Sequence, residues 1–150
     1  MKKEFLSRSA KSTKTFAKKV ARLVLKRKKG PVILALFGEL GGGKTTFLQG
    51  FAEELGVKKR IQSPTFILMR KFKVPKKTFK NFYHIDCYRI EKQEDISNLG
   101  IERIFKKEEN IVAIEWADRV KKLLPKDIIQ IEFKVKGQNT RKIILKKDGR

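Results

Sequence analysis

A chain of 150 residues, 40% of them hydrophobic, can bury one sizeable core, which excludes a disordered polymer. Its net charge of +22 and pI near 10.3 attract polyanions, although lysines spread along the whole chain also fit a general compositional bias. No apolar run reaches the roughly 20 residues of a bilayer span, the leading MKKEFLSRSAKST lacks a signal-peptide core, and a lone Cys excludes an internal disulfide, so a cytoplasmic protein with no membrane partner is expected.

In chain order, residues 13–25 place Phe16, Val20, Leu23 and Val24 at helical spacing, with Ser12 or Thr13 as the expected cap. KRKKGP breaks that helix, and VILALF (32–37) reads as a strand buried on both faces. Residues 44–55 read as a helix closed by Gly56. Residues 66–74 and 78–88 read as strands of a hairpin around PKK, and 91–100 as a helix ending at Gly100. NIVAIEW (110–116) is a second buried strand, ADRVKKLL a short helix stopped by Pro125. Residues 127–135 alternate, with Ile129, Ile131, Phe133 and Val135 on one face and Gln130, Glu132 and Lys134 on the other. KGQN then turns the chain into a last strand, TRKIILKK. Intermingled strands and helices with two hairpins imply an α/β layer architecture on a mixed sheet, with one domain over residues 1–150.

Between the first buried strand and its helix, GELGGGKT (38–45) matches G-x-x-x-x-G-K-[ST] at every fixed position. The spacing has a chemical reason. Backbone N–H groups of such a loop turn inward onto phosphate oxygens, and the helix N-terminus adds its positive dipole end. Gly38, Gly41, Gly42 and Gly43 allow the close approach, with Glu39 and Leu40 between them. Lys44 reaches the β- and γ-phosphates, and the Thr45 hydroxyl can ligate Mg²⁺.

Such a loop needs an acidic partner at the end of a neighbouring strand. Asp86 ends NFYHID and Glu115 ends IVAIE. FYHIDCYRI (82–90) also holds the only His and the only Cys, which raises a metal or thiol site. Strand alternation argues against either, because His84 and Asp86 share one face while Tyr83, Ile85 and Cys87 share the other. In SPTF (63–66), Thr65 offers a hydroxyl that could sense the γ-phosphate and metal, as switch residues of such nucleotide-binding proteins do.

Taken together, GELGGGKTT, SPTF, FYHIDCYR and IEWADR resemble the TsaE family (formerly YjeE), in order and spacing and over nearly the whole chain. The family pattern G-D-L-G-A-G-K-T-T is altered at Glu39 and Gly42 and intact at Lys44, Thr45 and Thr46. The resemblance implies a P-loop NTPase-like three-layer α/β fold with helices flanking a mixed β-sheet. It implies a small Mg²⁺-dependent ATPase that assists the TsaD–TsaB complex in threonylcarbamoyladenosine modification of tRNA, without itself transferring the threonylcarbamoyl group. It carries ATP and Mg²⁺ onto Lys44 and Thr45, and a metal- or water-directing role onto Glu115. Asp86 falls near the metal, Thr65 in a switch, Trp116 beside the nucleotide, and Thr15 of the leading helix near the base. Arg89 would neutralise phosphate charge or face a partner protein, and tRNA contact within the complex stays open. Two rivals remain: a P-loop kinase of a small acceptor, for which a lid is lacking, and a basic RNA-binding module with a vestigial loop.

Overall fold

The computed structural model describes residues 2–39, 41–62 and 68–148. Among the described residues seven strands form one mixed sheet in the order β1-β7-β6-β2-β5-β4-β3. They are β1 (Lys2–Ser7), β2 (Val32–Gly38), β3 (Met69–Lys73), β4 (Asn81–Asp86), β5 (Asn110–Glu115), β6 (Ile128–Val135) and β7 (Arg141–Asp148). β2 runs parallel to both β5 and β6, and β4 runs parallel to β5. The hairpins β3–β4 and β6–β7 are antiparallel, and β7 also takes β1 antiparallel.

Both faces of the sheet are covered, which is why the central strands carry unbroken apolar runs. Val32, Leu34 and Leu36 of β2 face one core with Phe82, Ile131 and Phe133. Helices α1 (Ala10–Leu25) and α2 (Lys44–Leu55) cover that side through Phe16, Val20, Phe47 and Phe51. The alternate residues Ile33 and Ala35 face the other core with Ile85, Cys87, Val112 and Ile114. Helices α3 (Gln93–Ser97) and α4 (Ile101–Ile104) and the 3₁₀ segment Ala117–Leu123 close it with Ile96, Ile101 and Val120. The two layers of helices around a mixed sheet are those of a P-loop NTPase-like α/β fold. A Cβ on Gly50 would lie 2.6 Å from the carbonyl oxygen of Lys14, so α1 and α2 touch backbone to backbone there.

Several elements depart from the sequence reading. The leading residues carry a strand that periodicity did not show. β1 exists by pairing with β7, in register from Lys2 opposite Lys146 to Ser7 opposite Arg141. Helix α1 starts earlier than Ser12 or Thr13: Ser9 is the cap, its hydroxyl oxygen accepting from the Ser12 N–H at 3.0 Å. Residues 91–100 are not one helix. Gly100, at φ 76°, precedes α4 instead of closing a continuous helix. Strand β4 is shorter than 78–88, ending at Asp86. Val135, read on one face of β6 with Ile129, Ile131 and Phe133, is 44% exposed while those three are buried.

Candidate nucleotide site

The parallel strands end at one level. Glu115 of β5 lies opposite Leu36 of β2 on one side and Asp86 of β4 on the other. The crevice beyond their carboxyl ends is where open α/β sheets bind ligands. A cavity of about 350 Å³ lies there. Its walls are the loop Gly41–Thr46, the strand end at Glu115 and Trp116, the start of α1, and the β6–β7 turn.

The loop is shaped to receive phosphate. Gly43 caps α2 in the left-handed region at φ 96°, and the Gly42 N–H turns back onto the Glu39 carbonyl at 3.0 Å. The first N–H groups of α2 have no carbonyl four residues earlier within the helix to bond. Lys44 is 5% exposed. Its Nζ donates to the carbonyls of Gly38 at 2.6 Å and Glu39 at 2.9 Å, and sits 4.1 Å from the centre of the Trp116 ring. Burial pushes the Lys44 ammonium down from its ordinary value, against the pull of Glu115, Asp118, Asp86 and Glu39.

Glu115 is the hub of the polar groups. The Thr45 hydroxyl donates to its Oε1 at 3.0 Å, and His84 Nε2 lies 2.6 Å from its Oε2. Glu115 and His84 are 2% and 1% exposed. A buried carboxylate is costly without such partners. His84 Nδ1 has no hydrogen-bond partner among the described residues. Asp86, also buried, accepts from the Tyr88 N–H at 3.0 Å. The motif His therefore serves the carboxylate of the next strand, while Cys87 packs in the opposite core, as alternation requires. Burial raises the Cys87 thiol to about 12. Thiol titration of the native protein at pH 8 should accordingly find Cys87 unreactive until denaturant is added; rapid native labelling would contradict this packing.

Thr45 and Glu115 meet at the cavity and offer oxygen donors, which suit Mg²⁺ rather than a softer metal, while Asp86, opposite Glu115 on the neighbouring strand, is not among the described residues that line the cavity. Among the described residues no three His, Cys, Asp or Glu side chains are grouped to hold a metal. Mg²⁺ held by Thr45 and Glu115 would draw its remaining ligands from water and phosphate and would supply charge neutralisation at the phosphates.

Gly41, Gly42, Gly43, Lys44, Thr45, Thr46, Glu115 and Trp116 all line the cavity. Gly38 and Glu39 lie beneath it and supply the carbonyls that hold Lys44. Leu40 and Thr65 fall outside the described residues. Thr15 departs from its expected place. It is exposed and donates to the Lys11 carbonyl at 3.0 Å, while Thr13 lines the cavity and pairs with the Ser7 hydroxyl at 2.6 Å. Two positions on a helix are about 200° apart, so both threonines cannot face the site. The apolar stripe Phe16–Ala17–Val20–Val24 has Thr13 in phase, and that signal was available in the sequence.

Residues that motif reading passed over come from the turn after β6. Gln138, Asn139 and Arg141 line the cavity. Arg141 Nε donates to the Gly41 carbonyl at 2.9 Å, and its Nη1 to the Gly137 and Thr140 carbonyls at 3.0 and 3.1 Å. One guanidinium thus ties the turn to the phosphate loop.

These features define a P-loop nucleotide-binding protein of the class with an acidic residue on the adjacent strand. Residues 7–143 match the family model described as "Threonylcarbamoyl adenosine biosynthesis protein TsaE". The chain belongs to the TsaE family. It is 35% identical to tRNA threonylcarbamoyladenosine biosynthesis protein TsaE of Bacillus subtilis, over 84% of this chain and 76% of that protein. It is 38% identical to the protein of that name from Rickettsia prowazekii, over 94% of this chain and 92% of the relative. The crystal structure of Bacillus subtilis YdiB superposes with a TM-score of 0.77 at 30% identity, covering 99% of this chain and 87% of that one.

Proposed function

We propose that this protein binds ATP with Mg²⁺ in the Gly38–Thr46 loop and hydrolyses it, slowly alone, and that this cycle sustains tRNA threonylcarbamoyladenosine formation by the TsaD–TsaB complex. The observation that carries the reading is the Thr45–Glu115 contact at 3.0 Å, which sets a hydroxyl and a carboxylate side by side at the mouth of the loop. A vestigial loop has no use for a buried carboxylate at that place, and the family membership supports the tRNA-modification context.

Lys44 would exchange its two loop carbonyls for the β- and γ-phosphates, and Trp116 would stay as the wall beneath its ammonium. Mg²⁺, when bound through Thr45 and the carboxylates, would neutralise charge on the β,γ-phosphates. Glu115 would orient a water for in-line attack on the γ-phosphorus. The new P–O bond forms as the bond to the β-phosphate oxygen breaks, ADP leaves with that electron pair, and the water proton passes to the phosphate product. Backbone N–H groups and Lys44 stabilise the charge that develops.

Reconstituted tRNA modification by TsaD–TsaB tests this. Lys44→Ala should lower ATP hydrolysis by about 100-fold or more, in line with loss of a transition-state donor, and should end multiple turnover. Unchanged multiple-turnover modification with that variant would sink the reading, as would phosphate appearing on a small acceptor instead of in solution.

Arg141→Ala should weaken ATP binding about three- to tenfold, the net worth of one or two exposed hydrogen bonds. Titration with a fluorescent ATP analogue reads it. Arg141→Lys should fall between, since an ammonium lacks the planar fork that spans loop and turn.

A further inference from the structure

We infer that the face formed by the turn after α2 and the outer end of the β3–β4 hairpin is a docking surface for the phosphate backbone of a folded RNA. Positive charge on this chain is general, but at this face, bordered by Glu53 beside Lys58, Lys59 and Arg60 and by Glu109, whose carbonyl accepts from the Lys80 N–H, cations outnumber carboxylates. From Leu55 to Ile85 the sequence contains no Asp or Glu, while it carries Lys58, Lys59, Arg60, Lys71, Lys73 and Lys80 among other cations. All six are exposed. Elsewhere basic side chains meet carboxylates: Lys18 with Glu53 at 3.2 Å, Arg22 with Glu54 at 3.1 Å, Lys29 with Glu108 at 3.9 Å. Among the described residues none of those six has a carboxylate within ion-pair reach. The Lys80 ammonium donates to the Lys76 carbonyl at 2.8 Å instead.

The cations are also gathered by the fold. Lys58, Lys59, Lys71, Lys73 and Lys80 rim one concavity of about 730 Å³. Lysines on an edge strand are ordinarily explained as guards against strand-to-strand aggregation. That covers Lys71 and Lys73 of β3, but Lys58 and Lys59 follow α2 and Lys80 precedes β4. Lys73 pairs with Asn81 at the start of β4, so the concavity lies at the end of the sheet opposite Asp86 and the phosphate loop. It is separate from the nucleotide cavity.

The chemistry selects the partner. A protein interface would need an apolar centre and is depleted in lysine. Here Phe72 and Val74 are only 7% and 4% exposed, and the exposed large hydrophobics Leu6, Leu23, Tyr88, Leu99 and Val135 lie elsewhere. Among the described residues the concavity is lined by no exposed aromatic, so contact there is with phosphates: weakly sequence-dependent and strongly salt-dependent.

Binding of the full chain to an unmodified tRNA transcript, followed by fluorescence anisotropy without nucleotide from low to physiological salt, tests this. Replacing Lys58, Lys59, Lys71 and Lys73 together by Gln should weaken binding at least tenfold and reduce the slope of log K against log salt by about three to four, roughly 0.7–0.9 for each phosphate no longer neutralised. The same number of neutralisations at Lys19, Lys26, Lys28 and Lys122 should cost far less. Equal weakening by both sets would overturn the inference in favour of diffuse charge. Competition by polyglutamate as strong as by RNA of equal charge would overturn it in favour of an acidic protein partner. Binding of the fluorescent ATP analogue by both variants reports the fold and the nucleotide site, so failure here is distinguishable from failure of the ATPase reading.

Discussion

Glu115→Gln should abolish most ATP hydrolysis while leaving the protein folded. The carboxylate is 2% exposed and touches both Thr45 and His84, so its charge and its shape make separable contributions. Glutamine keeps the shape. Its carbonyl oxygen can still accept from the Thr45 hydroxyl, and its amide can donate to His84 Nε2 if the imidazole changes tautomer. A folding cost of about 1 kcal/mol or less follows, because no buried polar atom that was satisfied is left without a partner. Charge is lost altogether, and with it the pull on a water or a metal at the γ-phosphate. A fall in kcat of about 100- to 1000-fold is expected, the size found when a single preorganised electrostatic group is removed. Glu115→Ala should lose activity equally but also cost about 1–3 kcal/mol of stability by stranding His84 and Thr45. Thermal unfolding and single-turnover hydrolysis on both variants separate the two contributions. A Glu115→Gln protein hydrolysing ATP at the wild-type rate would remove Glu115 from the chemistry.

The parts of this site that were legible in the sequence are those carried on a short segment. Loop, strand and helix from Val32 to Gly56 form one local unit, so spacing sufficed to identify it. Alternation likewise separates Cys87 from His84 in the sequence alone, because a strand fixes its faces by itself. What escaped was made by pairing at a distance. β1 is KKEFLS, with three charged residues and only two apolar ones, and it becomes a strand because β7 offers an unpaired edge. The contribution of Arg141 depends on β6 lying beside β2, which swings the β6–β7 turn over Gly41. Neither the order of strands nor the target of that guanidinium is written in residues near it. The partnership of His84 with Glu115 has the same origin: thirty-one positions apart in the chain, they meet because β4 and β5 are parallel neighbours. Trp116 is a further case. Its φ of 58° turns the chain sharply after β5, which sets the ring under Lys44, and nothing about a tryptophan predicts a left-handed backbone.

Gly38→Ala should be the most damaging single change at the loop, through structure rather than chemistry. Gly38 ends β2 opposite Phe133 of β6 and has φ 144°, a region that side chains rarely adopt. A Cβ there would stand 2.5 Å from the Phe133 carbonyl oxygen and 3.0 Å from its Cβ. Both obstacles belong to a central strand, so neither yields as the tip of a flexible side chain would. Strained backbone and overpacking each cost about 1–3 kcal/mol, and a combined loss near 3 kcal/mol lowers the melting temperature by about 6–12 °C at this chain length. The consequence for the site follows from the same atom group. The Gly38 carbonyl holds Lys44 Nζ at 2.6 Å, so moving the end of β2 away from β6 carries the anchor of Lys44 with it. ATP binding should therefore fall with stability, whereas Lys44→Ala should lose ATP hydrolysis with little change in melting temperature, since it removes a buried ammonium whose charge burial already disfavours. Denaturant unfolding and ATP titration on the two variants read the contrast. A Gly38→Ala protein with wild-type stability would mean that the β2–β6 contact yields more readily than a close-packed sheet centre allows.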